Sequence, residues 1–252
     1  MTSEITVQAP DELAAPVSAD MVPKHVGIIM DGNHRWAKKR HLPGAAGHRA
    51  GAKGVRVISE ACVELGIKNL TLFAFSTENW YRPEGEVSML MDLMRYVMRT
   101  DIEDLHAQGV KLRIIGDRSR FADDIHEMMD DCEALTQNNQ RLNLNVAVNY
   151  GGRWDIVEAS KALAQRAQNG EIAVADIDES MLHQHMSLGD LPAPDLLIRT
   201  GGDFRVSNFM LWDIAYTELY FTEAFWPEFD GGHLRSAVET FSARLRRFGR
   251  RS

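Results

Sequence analysis

The sequence predicts a single α/β domain: a mainly parallel six-stranded sheet flanked by helices on both faces. Three observations carry this. Short runs rich in apolar and β-branched residues recur at 26–30, 70–76, 111–116, 142–149, 195–199 and 218–222. Most are separated by stretches of helical length with apolar residues at helical spacing, and strands joined by such crossovers pair in parallel. The composition, 44% hydrophobic and 25% charged over 252 residues, suits one sizeable domain, and no repeat or linker divides it.

Residues 1–22 carry Glu4, Asp11, Glu12 and Asp20, no Lys or Arg, and scattered Ala, Pro and Ser, so they read as a disordered tail ahead of a domain over 23–252. The apolar run Val26 to Met30 is the first strand, and it turns at Asp31-Gly32-Asn33 into a helix-permissive run from about Arg35. Helices are predicted over about 47–65, 86–107, 119–137 and 153–168. A short one follows near 178–187, a brief one near 207–215, and a closing one over 233–248. Met89, Leu90, Leu93, Met94, Val97, Met98 and Ile102 form a helical stripe that belongs to the core. Strand 70–76 is expected to place Leu72 and Ala74 on one face and Phe73 and Phe75 on the other.

Several functions are disfavoured at this level. No apolar run approaches the length of a spanning helix, and the N-terminus lacks the basic start and apolar core of a signal peptide. A formal net charge of −8 argues against general nucleic-acid binding. Cys62 and Cys132 have no metal-ligand spacing and fit reduced thiols in a cytoplasmic protein. Neither G-x-G-x-x-G after a strand nor G-x-x-x-x-G-K-[ST] occurs. The acids of Asp123-Asp-Ile-His-Glu127 fall on the solvated side of an amphipathic helix, and His183 and His185 share no helical face.

What remains stands at the carboxyl ends of the strands, where open α/β sheets bind ligands. Asp31 follows the first strand at a tight glycine turn suited to an anion, and two readings stay open for it. It caps the following helix, or it holds a hard cation such as Mg²⁺ against phosphate oxygens. Arg35, Arg82, Arg199 and Arg205 converge on the same rim of an acidic protein, and arginine grips phosphate oxygens in a forked manner. A phosphate-gripping rim above soft apolar walls suits an amphiphile with a charged head and a hydrocarbon tail.

Specific blocks now carry a resemblance. His25 through Arg35, Gly47-His48, Phe75-Ser-Thr-Glu-Asn-Trp80, Arg82-Pro83, Asn149-Tyr-Gly-Gly-Arg-Trp154, Ile198-Arg-Thr-Gly-Gly202, Arg205, Ser207-Asn208 and Glu218-Leu-Tyr-Phe221 resemble the cis-prenyltransferase family, over about residues 24–249. The resemblance implies an apolar tunnel, a homodimer, and Mg²⁺-dependent elongation of farnesyl diphosphate by isopentenyl diphosphate. The implied product is a medium-chain polyprenyl diphosphate such as undecaprenyl diphosphate, precursor of the cell-wall lipid carrier. Position by position, it implies a metal role for Asp31 and a second metal ligand in Glu218. Gly32, Asn33, His34, Arg35, Trp36 and His48 correspond to the cradle of the allylic diphosphate. Arg199 and the run Arg205, Val206, Ser207 correspond to the grip on isopentenyl diphosphate. Ser76, Thr77, Glu78, Asn79, Trp80 and Arg82 correspond to a segment that closes over both. The Asn79 position is described in the family as a proton acceptor, yet a carboxamide has no useful basicity near neutral pH, so positioning or relay is the role expected here.

The chain departs from the family at three places. Gly44 stands where many relatives have a diphosphate-binding arginine, with Arg40 as a candidate substitute. Asp203 replaces a Glu, and Phe204 stands where some relatives have a His. Arg244, Arg246, Arg247, Arg250 and Arg251 crowd the C-terminus. They are a basic end able to meet anionic lipid at a membrane surface, and Arg247-Phe-Gly249 also resembles an Arg-x-Gly ending that in some relatives reaches across the dimer. Ala74, near the rim, and Leu142, at the far end of its strand, are expected to border the upper passage and the floor of the tail site.

Overall fold

The computed structural model describes residues 21–244. The expectations for residues 1–20 and for Arg246, Arg247, Arg250 and Arg251 lie outside the described residues. Met21 and Val22, placed in the tail by sequence, already belong to the domain: the Ser242 hydroxyl donates to the Met21 carbonyl at 2.8 Å, and Val22 packs on the main core.

The described chain runs β1 (His25–Ile29), α1 (Asn33–Lys39), α2 (Gly44–Leu65), β2 (Asn69–Ser76), α3 (Glu84–Thr100), α4 (Ile102–Ala107) and β3 (Val110–Ile115). It continues through α5 (Asp123–Thr136), β4 (Leu142–Tyr150), α6 (Gly152–Gln168), α7 (Glu179–Gln184), β5 (Leu196–Arg199), β6 (Glu218–Phe221) and α8 (Gly231–Ala243). The six strands form one sheet in the order β3-β4-β2-β1-β5-β6, and every pairing is parallel. The connections pass from one side of β1 to the other between β4 and β5, so the carboxyl ends of β1 and β5 flank the switch point of the sheet.

Both faces of the sheet are apolar, as a parallel sheet under two helix layers requires. On one face Val26, Ile28, Leu70, Leu72, Leu142 and Leu144 pack with Ile58 and Cys62 of α2 and with Leu234, Val238 and Phe241 of α8. On the other, Ile29, Ala147, Tyr150 and Leu197 pack with Phe209, Met210 and Trp154. Across the strands, His25 Nδ1 donates to the Pro192 carbonyl at 2.7 Å, and its Nε2 accepts from the Thr71 hydroxyl at 2.7 Å. Burial lowers the His25 pKa, so this ring is a neutral structural pin.

Three local expectations are corrected. The predicted helix 86–107 breaks at Asp101, whose φ of −105° and ψ of −10° leave regular helix geometry: its N–H still bonds the Val97 carbonyl at 2.9 Å, and its carbonyl starts the next helix by accepting the Leu105 N–H at 3.1 Å. The helix expected near 207–215 is a loop, because Ser207, Asn208 and Met210 have φ of 46°, 64° and 47°, and a 3₁₀ turn follows at Asp213–Tyr216. In β2 the register slips at Ala74, and β4 compensates at Asn149. The extra residue turns Phe75 to the face opposite Phe73: Phe73 stacks on Phe209 at 4.5 Å, whereas Phe75 meets Trp80 at 5.0 Å.

Candidate active site

At the carboxyl end of β1 the chain turns through Gly32, whose φ of 99° disfavours a side chain and where a β-carbon would lie 2.7 Å from the Phe225 ring. The turn delivers Asp31 to the rim. Its backbone N–H donates to the Thr200 hydroxyl at 2.9 Å, and its carbonyl accepts from the Trp226 N–H at 3.0 Å, which fixes its carboxylate between two arginines. Arg199 Nη2 reaches Asp31 Oδ2 at 2.8 Å and Arg35 Nη2 reaches Oδ1 at 3.1 Å, while the Gly32 N–H donates to Oδ1 at 2.6 Å. Burial alone would raise the Asp31 carboxyl. The hydrogen bond and charge of Arg199, then the charge of Arg35, override it and hold the pKa below the usual carboxylate range.

The β5–β6 side supplies the rest of the clamp. Arg199 is buried, its side chain 4% exposed, and it donates from Nη1 to Ser207 Oγ at 2.7 Å and to the Arg205 carbonyl. Asp203 gathers Arg205, both of whose terminal nitrogens lie at 3.1 Å, and Arg35, also at 3.1 Å. Arg35 further donates to the Gly201 carbonyl at 2.6 Å. Three arginines thus meet two carboxylates, an excess of positive charge held ready for an anion. On the opposite lip Arg82 pairs with Glu86 at 2.7 Å, and His48 Nε2 lies 3.9 Å from the same carboxylate. Burial, then the charge of Arg82, lowers the His48 pKa. The buried atoms His48 Nε2, Asn33 Oδ1, Trp36 Nε1 and Arg199 Nε have no hydrogen-bond partner in the described chain. Such groups usually find a partner, and three of the four, on His48, Asn33 and Arg199, belong to residues that border one cavity, which indicates a site that completes itself with a ligand.

Below the rim a cavity of about 880 Å³ descends between the sheet and helices α2 to α5. Asp31, Gly32, Asn33, His34, Arg35, His48, Ser76, Glu78, Asn79, Arg82, Arg199, Arg205 and Ser207 border it, so the structure gathers these residues as the sequence anticipates. Its walls are apolar: Leu72, Phe75, Leu90, Met94, Met98 and Val146 from the sheet and α3. Ala74 lines it near the top. Leu142 does not: the deep end is made by Leu144, Leu112, Ile102 and Leu105, and Leu142 lies behind them in the core.

Other expected residues sit nearby without lining the cavity. Trp36 carries Arg40 over its ring at 4.4 Å, Trp80 donates to Asn149 Oδ1 at 2.8 Å, Thr77 bonds Glu78 at 3.0 Å, and Val206 packs into the apolar cluster of Phe209. The Asn79 carboxamide oxygen accepts the Ser76 N–H at 2.9 Å, which fits a residue that shapes its turn. Arg40, the candidate substitute for a residue-44 arginine, pairs with Glu228 at 2.7 Å and does not border the cavity. Gly44 instead faces His34: a β-carbon at residue 44 would lie 2.7 Å from His34 Nδ1. Phe204 points away, 75% exposed and against Phe221.

Glu218 stands apart from this clamp. It pairs with Leu196 in the sheet, three residues and about 10 Å below Arg199 along the strand direction, and its carboxylate binds Arg244 at 3.1 Å. Asp203, reached by the same Arg35 nitrogen as Asp31, is the second carboxylate at this rim. Sequence reasoning gave no role to Thr200 or Asn208, whose contribution is positional. The only signal for Asn208 in the sequence was its place in the Ser207-Asn208 block of the resemblance.

The chain matches the family of undecaprenyl diphosphate synthases over residues 29–249. It is 53% identical over 231 residues to the ditrans,polycis-undecaprenyl-diphosphate synthase ((2E,6E)-farnesyl-diphosphate specific) of Pseudomonas aeruginosa, covering 92% of each chain. It is 52% identical over 231 residues to the same-named protein of Vibrio parahaemolyticus, again covering 92% of each. Among solved structures, it superposes on lavandulyl diphosphate synthase from Lavandula x intermedia, in complex with dimethylallyl diphosphate, with a TM-score of 0.89 and 37% identity, covering 92% of this chain and 100% of the other. On the family match, the identities and the superposition, the chain belongs to the undecaprenyl diphosphate synthase family of prenyltransferases.

Proposed function

We propose that this protein elongates farnesyl diphosphate with successive isopentenyl diphosphate units, each addition forming a cis double bond, to give undecaprenyl diphosphate. The observation that carries this reading is the carboxylate of Asp31 held between Arg35 and Arg199 at the mouth of an 880 Å³ apolar cavity. The names of the curated relatives supply the substrate and product. In the elongation step the allylic carbon–oxygen bond of the primer breaks, that carbon bonds the terminal alkene carbon of isopentenyl diphosphate, and a proton leaves to re-form the double bond. The departing diphosphate is the base that accepts it, since Asn79 offers hydrogen bonds and no basicity.

Each side chain then has a physical task. Gly32 to Trp36 and His48 cradle the primer's diphosphate. Arg199, Arg205 and Ser207 hold that of isopentenyl diphosphate, and segment 76–82 closes over both. Arginines aimed at the leaving diphosphate stabilise charge as it develops, which is how such sites lower a barrier. A single carboxylate beside phosphate-gripping arginines is a donor set that Mg²⁺ could use. Asp31 is the residue that would hold it, and when bound it would neutralise leaving-group charge. The growing tail occupies the cavity as a tunnel toward Ile102 and Leu105.

The same reading includes a homodimer. β6 is an edge strand, and Tyr216, Phe204 and Leu219 expose apolar surface beside it, 90%, 75% and 38% exposed. A cytoplasmic location with peripheral contact at the membrane surface completes it. Among the described residues no helix is long and apolar enough to cross a membrane, and Cys62 and Cys132 are free thiols. Incubation with both diphosphates and Mg²⁺ tests the reading: pyrophosphate release that requires both substrates is expected, and no release, or release from one alone, would overturn it.

A further inference from the structure

Three segments of the rim converge on Asn208, to which the preceding assignment gives no task. Its side-chain Nδ2 donates to Glu78 Oε1 at 2.9 Å, in the segment that follows β2. Its Oδ1 accepts the Arg153 N–H at 3.0 Å and its backbone carbonyl accepts the Gly152 N–H at 2.6 Å, both at the start of α6. Its own loop, from Gly201 onward, carries Arg205 and Ser207. The backbone bends sharply to allow this, with φ positive at both Ser207 and Asn208, a conformation asparagine tolerates better than most residues. The junction is also sterically closed. A β-carbon on Gly151 would lie 2.6 Å from Asn208 Nδ2 and 2.9 Å from Thr77 Oγ1, although the φ of −157° at Gly151 is open to any residue. Glycine is present there because two side chains from different segments need the space.

We propose that Asn208 is a positioning residue that latches segment 76–82, which closes over both substrates, to the loop whose Arg205 and Ser207 hold isopentenyl diphosphate, so that closure and that grip assemble together. This rests on the prenyl-elongation reading of the site. The α6 start is the fixed anchor, since its two N–H groups hold Asn208 in place, and Glu78 is the movable end of the latch. A residue that merely supported the loop would, when removed, weaken the whole rim and both substrate sites alike.

The test combines kinetics with hydrogen exchange. Asn208→Gly removes the carboxamide and keeps a residue suited to positive φ. Gly151→Ala wedges the same junction open without removing any polar group. In both, exchange in peptides covering 76–82 should quicken roughly tenfold, the size expected for losing a hydrogen bond to a charged group. The KM for isopentenyl diphosphate should rise roughly tenfold, and that for farnesyl diphosphate less than about threefold. In a double-mutant cycle, Glu78→Ala and Asn208→Gly should be less than additive by about the one bond they share, since Asn208→Gly also removes the acceptor of the Arg153 N–H. Unchanged exchange at 76–82 in folded Gly151→Ala protein, or fully additive KM effects in the cycle, would overturn the latch. If the wild-type protein incorporated no isopentenyl diphosphate, the functional reading would fail, while the exchange comparison, which needs no substrate, would still decide the latch.

Discussion

At the scale of single residues, the two arginines around Asp31 differ in what they can give up. Arg199 is buried and tied to Ser207 and Asp31, so it is a fixed wall of the site. Arg35 is 43% exposed and shared between Asp31 and Asp203, so it is free to turn toward an incoming anion. Asp31→Ala would leave buried Arg199 short of a charged partner and confuse folding with function. Asp31→Asn keeps an acceptor for Arg199 and removes the charge. Turnover should fall on the order of a thousandfold with a small change in Tm, checked by steady-state kinetics at saturating Mg²⁺ and thermal melts. Near-normal turnover would remove Asp31 from the chemistry. Arg205 is 61% exposed and oriented by Asp203, so Arg205→Ala should raise the KM for isopentenyl diphosphate tenfold or more while barely affecting that of the primer. Equal effects on both substrates would mean that the two diphosphate sites are assigned wrongly.

At the scale of elements, the paired register slips at Ala74 and Asn149 bend the top of β2 beside the rim and bring Phe75 onto the cavity side. Alternation along β2 could not foretell this, because one inserted residue reverses every later side chain. The strands themselves were legible, since each is a short apolar run ended by turn residues, and so was the rim, since ligands gather at the carboxyl ends of such sheets. The break between α3 and α4 was not. It lies in the backbone angles of one residue, Asp101, which a stripe of Leu and Met does not reveal. That break matters, because it sets Ile102 and Leu105 across the deep end of the cavity. Ala74→Leu should therefore shorten the products by filling the upper passage, and Leu105→Ala should lengthen them by deepening the floor. Chromatography of the dephosphorylated products checks both, and unchanged lengths would show that the tail follows another path. Leu142→Ala acts on the floor from behind and should have the smaller effect.

At the scale of the whole molecule, the sheet holds two chemistries apart: a charged rim over the switch point and a hydrocarbon space beneath it. Stability need not be greatest where the enzyme works. Burial pushes the Asp213 carboxyl up to about 6, with His183 at 3.4 Å opposing the rise and Asp155 adding to it. The folded state therefore holds this proton more tightly than the unfolded chain, and stability declines as pH rises from about 4 through 6. Asp213→Asn should raise Tm by several degrees at pH about 8, a gain of up to about 3 kcal/mol, and by almost nothing near pH about 4. A gain independent of pH would assign the effect to packing.

The most direct measurement of what the rim and cavity do together is mass and double-bond analysis of the product formed from farnesyl diphosphate, isopentenyl diphosphate and Mg²⁺. Expected is a polyprenyl diphosphate of undecaprenyl length in which every added unit is cis and the primer's own double bonds remain trans. A product extended through trans units, or a primer returned unextended under conditions where the protein is folded, would contradict it.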